Sequence, residues 1–118
     1  MLRLFIPQLF VAALATFLVV GCGPSEEEAR KELREMGLEY GTEGFLRAAS
    51  SSRDSTVKLF LQGGISPDVR NSNGWTPLMV SAAHGNEKTV ATLIKADADP
   101  NLQDKNGATA LKHAAAKG

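Results

Sequence analysis

A spacing of 33 residues constrains this chain more than any other feature. Gly74 and Gly107, Thr76 and Thr109, Leu78 and Leu111, Ala82 and Ala115, and Gly85 and Gly118 are identical pairs 33 apart. Upstream, Val57 aligns with Val90, Phe60 with Leu93, Leu61 with Ile94, Pro67 with Pro100 and Asp68 with Asn101. A period of this length means that one supersecondary unit is copied. Each copy buries its apolar face only by stacking on the next. The 118-residue chain reads as about two and a half such units, spanning residues 41–70, 71–103 and, in part, 104–118.

Each position in the unit has a physical role. Asn73-Gly74 and Asn106-Gly107 suit a tight turn that needs positive φ. Thr76 suits a helix N-cap and Pro77 the first helical position. Leu78, Ser81 and Ala82 give an inner helix an apolar face whose small residues let the next unit approach closely. Gly85 ends that helix, and Asn86 is placed to cap a second one. There Val90, Leu93 and Ile94 recur at the i, i+3, i+4 spacing of an apolar helix face. In the first unit Phe45, Ala48 and Ala49 take the inner role, and Val57, Phe60 and Leu61 the outer one.

Asn73-Gly74-x-Thr76-Pro77-Leu78, Ser81-Ala82, Gly85-Asn86, Val90, Leu93-Ile94 and Asp99-Pro100-Asn101 together resemble the ankyrin repeat, over roughly residues 41–118. The resemblance implies an all-α repeat solenoid in which helix pairs are joined by β-turn fingers. It also implies a protein–protein interaction module that catalyses nothing. The partner meets a concave surface of finger tips and inner helices. The variable, partner-facing positions of that family fall here on Arg70, Ser72, Asn73, Trp75, Ala83 and His84. In the last unit they fall on Gln103, Lys105, Asn106, Ala108, Ala116 and Lys117. Trp75 is the chain's one tryptophan. It reads either as an exposed binding anchor or as a side chain packed on the adjacent finger.

Three departures from the pattern stand out. The family's usual His after the Leu is Met79 in one unit and Lys112 in the next. Asp97 stands where Gly usually ends the second helix, and Ser52-Arg53 replace the Gly-Asn pair in the first unit, marking it as a divergent N-terminal cap. Leu111, Ala114 and Ala115 are expected to face inward onto the unit before them, with no outer helix behind. The end at Gly118 reads as a truncated frame rather than a finished cap.

The N-terminus carries a different signal. After Arg3, residues 4–20 are nearly all apolar, broken by Pro7, Gln8 and Thr16. A basic start, an apolar run and small residues at its end make a secretory signal. Val19-Val20-Gly21-Cys22 resembles the lipobox of bacterial lipoproteins, which implies cleavage before Cys22 and a diacylglyceryl group on its sulfur. On that reading residues 1–21 are a signal peptide and 22–40 are the lipidated Cys, a tether and a helix. The mature chain is then held at the membrane of a bacterial cell envelope, on the periplasmic face, and Gly23 points to the outer membrane in a diderm. An ordinary signal peptide, or an uncleaved anchor with an incidental Cys, are the alternatives. The helix is expected over 26–36: Ser25 caps, Glu26 and Glu27 pair with Arg30 and Lys31, Ala29, Leu33 and Met36 form one stripe, and Gly37 stops it.

Composition excludes several function classes. Lys+Arg and Asp+Glu both number 13, which opposes nucleic-acid binding. A single Cys allows neither an internal disulfide framework nor a Cys-based zinc cage. His84 and His113 do not occupy equivalent positions of the period. Asp97, Asp99 and Asp104 lack the spacing of a calcium loop. Ser50-Ser51-Ser52 has no glycine-framed nucleophile turn. No metal, cofactor or small-molecule substrate is expected. An accessory or truncated fragment of a larger extracytoplasmic enzyme, or of a multi-repeat protein, is the other reading.

Overall fold

The computed structural model describes residues 23–118; the apolar leader and Cys22 lie outside the described residues. Six helices follow in order: α1 Glu26–Glu35, α2 Thr42–Ser50, α3 Asp54–Gln62, α4 Pro77–Ala83, α5 Glu87–Lys95 and α6 Ala110–Lys117. The described residues contain no strand. Isolated helices of ten residues or fewer are marginal in water, so each is held by its neighbours. They form two rows. In the inner row α2 packs on α4 and α4 on α6, while in the outer row α1 packs on α3 and α3 on α5. The rungs α2–α3 and α4–α5 join the rows. None of these helices is long and apolar enough to cross a membrane.

α1 starts as its sequence requires. Ser25 Oγ accepts from the Glu28 amide and the Glu28 side chain accepts from the Ser25 amide, a complete capping box. Ala29 and Leu33 are fully buried, but Met36 is 47% exposed. The expected stripe stops early because Met36 is already the C-cap and Gly37 turns the chain at φ +74°. Glu26 pairs with Arg30 at 3.5 Å, whereas Lys31 pairs with Glu35 at 3.8 Å rather than with Glu27. Lys31 and Glu35 are exposed i,i+4 neighbours, where such pairs contribute little.

An aromatic stack ties α1 and the following loop to the first unit. Phe45 and Phe60 lie 5.4 Å apart, ring centre to ring centre, and Tyr40 lies 6.0 Å from Phe60. Tyr40 Oη and Arg30 Nε both donate to the Gly63 carbonyl at 2.7 Å, satisfying the C-terminal end of α3. Gly44 makes the approach of the loop possible. A Cβ there would sit 2.1 Å from the Glu39 carbonyl oxygen.

The units are also joined by polar bonds. Asn86 occupies the N-cap of α5, but its side chain makes no capping bond. Its Nδ2 donates instead to the Ala49 carbonyl at 2.7 Å, and its Oδ1 accepts from Ser52 Oγ at 2.5 Å. Ser52 adopts φ +57°, the conformation Gly85 adopts at +69° one unit later. Thr92 Oγ1 donates to Asp54 Oδ1 at 2.5 Å, linking α5 to α3. Burial pushes the Asp54 carboxyl up, but the Thr92 hydroxyl and the Lys58 ammonium outweigh it and leave it below its ordinary value. At the next bend Asp97 stands at φ +64°, where the first unit has Gly64 at +93°.

The last unit corrects an expectation. Leu78 is buried, but Leu111 is 78% exposed. Only Ala110 of α6 is buried, Ala114 is half-buried, and Ala115 is exposed. Phe45, at the same register, is covered by Phe60 of its own outer helix; no described helix follows α6 to cover Leu111.

Leu78→Ala should lower stability by about 2–5 kcal/mol, while Lys88→Ala on the exposed face of α5 should stay within about 0.5 kcal/mol. Urea midpoints of the two variants and the parent test this, and coincident midpoints would contradict the stacked-unit packing. Asp97→Gly should raise the midpoint, by roughly 1 kcal/mol, because it relieves a left-handed residue with a Cβ.

Candidate functional site

The fingers are built by two equivalent residues, Asn71 and Asp104. Asn71 Oδ1 accepts from the amides of Asn73 and Trp75 at 2.9 and 3.0 Å, and the Asn71 amide donates to the Trp75 carbonyl at 3.1 Å. Gly74 closes the turn at φ +77°. One period later Asp104 Oδ1 accepts from Asn106 and Ala108 at 2.8 and 3.0 Å, and its amide donates to the Ala108 carbonyl at 2.9 Å. Such side-chain-to-backbone bonds are why Asn and Asp favour turns.

The two fingers lie side by side. The Lys105 amide donates to the Asn73 carbonyl at 3.1 Å, and the Arg70 guanidinium donates to the Gln103 carbonyl. A Cβ on Gly74 would stand only 3.1 Å from Asp104 Cα and the Lys105 nitrogen, so the absence of a side chain lets the fingers touch.

Asp104 differs from Asn71 in what its second oxygen does. Oδ2 lies 2.9 Å from His113 Nε2 on α6. The His113 ring sits 4.2 Å from the Trp75 indole, centre to centre, with the planes tilted by 38°. Trp75 is thus held from one side, half-buried, and also packs on the cluster of Leu46, Ala49 and Val80. Its remaining surface lines a depression of about 340 Å³ with Glu43, Leu46, Arg47, Ser50, Asn71, Asn73 and Val80. Trp75 thus packs on helix side chains, the α6 imidazole and the cluster of α2 and α4, instead of on the adjacent finger turn.

The other expected contact positions divide. Ser72, Asn73, Lys105 and Asn106 are exposed on the finger tips, and His84 and Ala116 are exposed on inner-row helix ends, with Ala83 half-buried beside them. His84 Nδ1 lies 2.8 Å from the Val80 carbonyl. Arg70 and Gln103 are exposed, yet their mutual bond serves the finger pair. Ala108 is buried, because its amide and carbonyl close the second finger onto Asp104, so it is not partner-facing. Lys117 is exposed and lays its side chain beside Gly85. Cys22 lies outside the described residues.

Leu46, Arg47, Ser50 and Val80 join this face without having been expected there. The period contained a signal for them: Arg47, Val80 and His113 occupy one register position, each facing its finger. Chemically the face offers an apolar floor, hydrogen-bonding finger tips and exposed cations. His113 and Asp104 form a carboxylate–imidazole pair, and the ring beside them is an indole. No group of three or more His, Cys, Asp or Glu side chains able to hold a metal occurs among the described residues.

The family model described as ankyrin repeats (3 copies) matches residues 45–118. No curated protein matches this chain.

The Asp104 carboxyl is held below its ordinary value, first by the Ala108 amide and then, against the opposing effect of burial, by His113 and the Asn106 amide. A depressed carboxyl contributes stability that is complete above its unfolded value, about 3.9, and is lost as pH falls through the folded one. Asp104→Asn keeps an oxygen for the finger amides but removes the charge. Its thermal midpoint should therefore fall less than that of the parent between about pH 5 and pH 3. Parallel slopes in that window would show that the carboxylate does not hold the finger.

Proposed function

Because the chain belongs to the ankyrin-repeat family, we propose that it is a non-catalytic protein-interaction module, tethered by lipid on Cys22 to a bacterial envelope membrane. The observation that carries the binding part is the braced indole. Trp75 is fixed on one side by His113 and open on the other to the depression beside α2. A large aromatic that is already ordered loses little entropy on binding, and Trp is the residue type most enriched among interface anchors. The finger tips around it present Ser72, Asn73, Lys105 and Asn106 as polar rim. Ala83, His84 and Lys117 extend the same row of units along the inner helix ends.

The tether rests on Val19-Val20-Gly21-Cys22 at the close of an apolar run, and on Cys22 being the chain's single thiol. Acyl chains bind a bilayer with about 0.8 kcal/mol per buried CH₂, and two or more chains hold firmly. The capped helix α1 then stands between anchor and repeats.

Two measurements test the two halves. Expressed in a diderm bacterium, the protein should have the intact mass of a chain cut before Cys22 and carrying a diacylglyceryl group, and Cys22→Ser should abolish both changes. An unchanged mass and membrane partition in that variant refutes the tether. A photo-crosslinking residue at Asn73 should give a protein adduct that the same residue at Lys88 does not. Trp75→Ala should weaken that interaction at least tenfold, and equal labelling from both positions would refute the concave face.

A further inference from the structure

Charge is distributed unevenly over a molecule whose formal net charge is zero. Among the described residues, the three pairs between Lys or Arg and a carboxylate are Arg30–Glu26, Lys31–Glu35 and Lys58–Asp54. All three lie on α1 and α3, in the outer row. The inner row and the fingers hold Arg47, Arg70, Lys105 and Lys117 with no such partner. Arg70 is bonded to a neutral carbonyl, which leaves its charge uncompensated. Across the finger segments 70–75 and 103–108 the one carboxylate is Asp104. It is buried and spent on two amides and His113. Glu43 is the single carboxylate lining the depression, alongside Arg47. The concave face is therefore cationic at its rim and apolar at its floor, where Leu46, Val80 and Trp75 meet.

We propose that this face takes an acidic segment of a partner protein, with carboxylates on Arg47 and Lys105 and an apolar side chain in the depression against Trp75. The inference rests on the reading of the concave face as the binding surface, and it adds the chemistry of what binds. Rim charges of one sign beside a low-dielectric wall raise the local concentration of an oppositely charged segment and select against wrong partners. A phosphate polyanion fits less well. It has no apolar side chain for the floor.

The test is selection of random twelve-residue peptides displayed on phage against the detergent-solubilised full chain. Enriched peptides should carry more Asp and Glu than Lys and Arg around an apolar residue, and should change Trp75 fluorescence. They should weaken about tenfold or more between low and high salt, since exposed charges are screened within a few ångströms at molar ionic strength. The double variant R47E/K105E should lose these peptides tenfold or more. Selection on that variant should return Lys- and Arg-rich peptides, a gain that a misfolded variant would not show. Neutral or basic peptides from the parent that still move Trp75 would overturn the acidic partner and leave the concave surface standing. Peptides that leave Trp75 silent and ignore R47E/K105E would overturn both. Recovery of no peptide would overturn the acidic segment. So would tighter binding of a twelve-residue oligouridylate or of phosphatidylglycerol vesicles through Arg47 and Lys105.

Discussion

No described helix exceeds ten residues, so none is stable until it lies against a neighbour in its own row. The contact between successive units is therefore the interaction on which the rest depends. It is apolar at the centre, where Phe45, Phe60, Leu78, Met79 and Leu93 meet in one cluster. At its margins it is polar and specific: Asn86 reaches Ala49 and Ser52, Thr92 reaches Asp54, and Lys105 reaches Asn73. The apolar part supplies the free energy of stacking. The polar part fixes the register, since a slip would break these exposed and part-buried bonds between units.

This division explains what could be read from the chain in advance. Features set within a unit were legible. Thr76 caps its helix, Pro77 begins it, and Asn-Gly closes both fingers. Features set by the next unit were not. Asn86 looks like a cap because it precedes α5, yet its partner lies a full unit earlier. Leu111 shares the register of Leu78 and was expected to turn inward onto the preceding unit, yet 78% of it is exposed. The reversal of Lys31 from Glu27 to Glu35 has a different origin, two nearly equivalent exposed acids. The period identifies equivalent positions; it does not identify their neighbours.

The site was legible to a similar depth. The finger-tip residues are where the resemblance puts them, exposed on adjacent turns. The depression was not foreseen, because it is formed by α2 of one unit and the finger of the next. Its wall includes Arg47, Ser50 and Val80, which look like ordinary helix surface in the linear sequence. Nor was the buried role of Asp104, which differs from Asn71 by one functional group. Either side chain makes the turn, but only the carboxylate has an anionic oxygen left for an imidazole.

That extra oxygen connects recognition to stability. Among the described residues, the first and last helices are covered to different extents. At the first, α1 covers the outer row and Arg30 and Tyr40 satisfy the end of α3. At the other, Ile94 and Leu111 border a groove of about 590 Å³ and remain exposed. α6 is thus held mainly through Ala110 and Ala114 against α4, and through His113 on Asp104. The imidazole–carboxylate contact adds a polar bond to this packing. The same imidazole braces Trp75. Loosening α6 would therefore remove one support of the indole and leave the other, Leu46, Ala49 and Val80; on the proposed reading, a partner that immobilises Trp75 would in turn stabilise α6, since coupling between two sites is reciprocal. On the proposed reading of Trp75 as an anchor, the order of this sparsely buried helix would enter the binding equilibrium, because its imidazole forms one wall of the indole's seat.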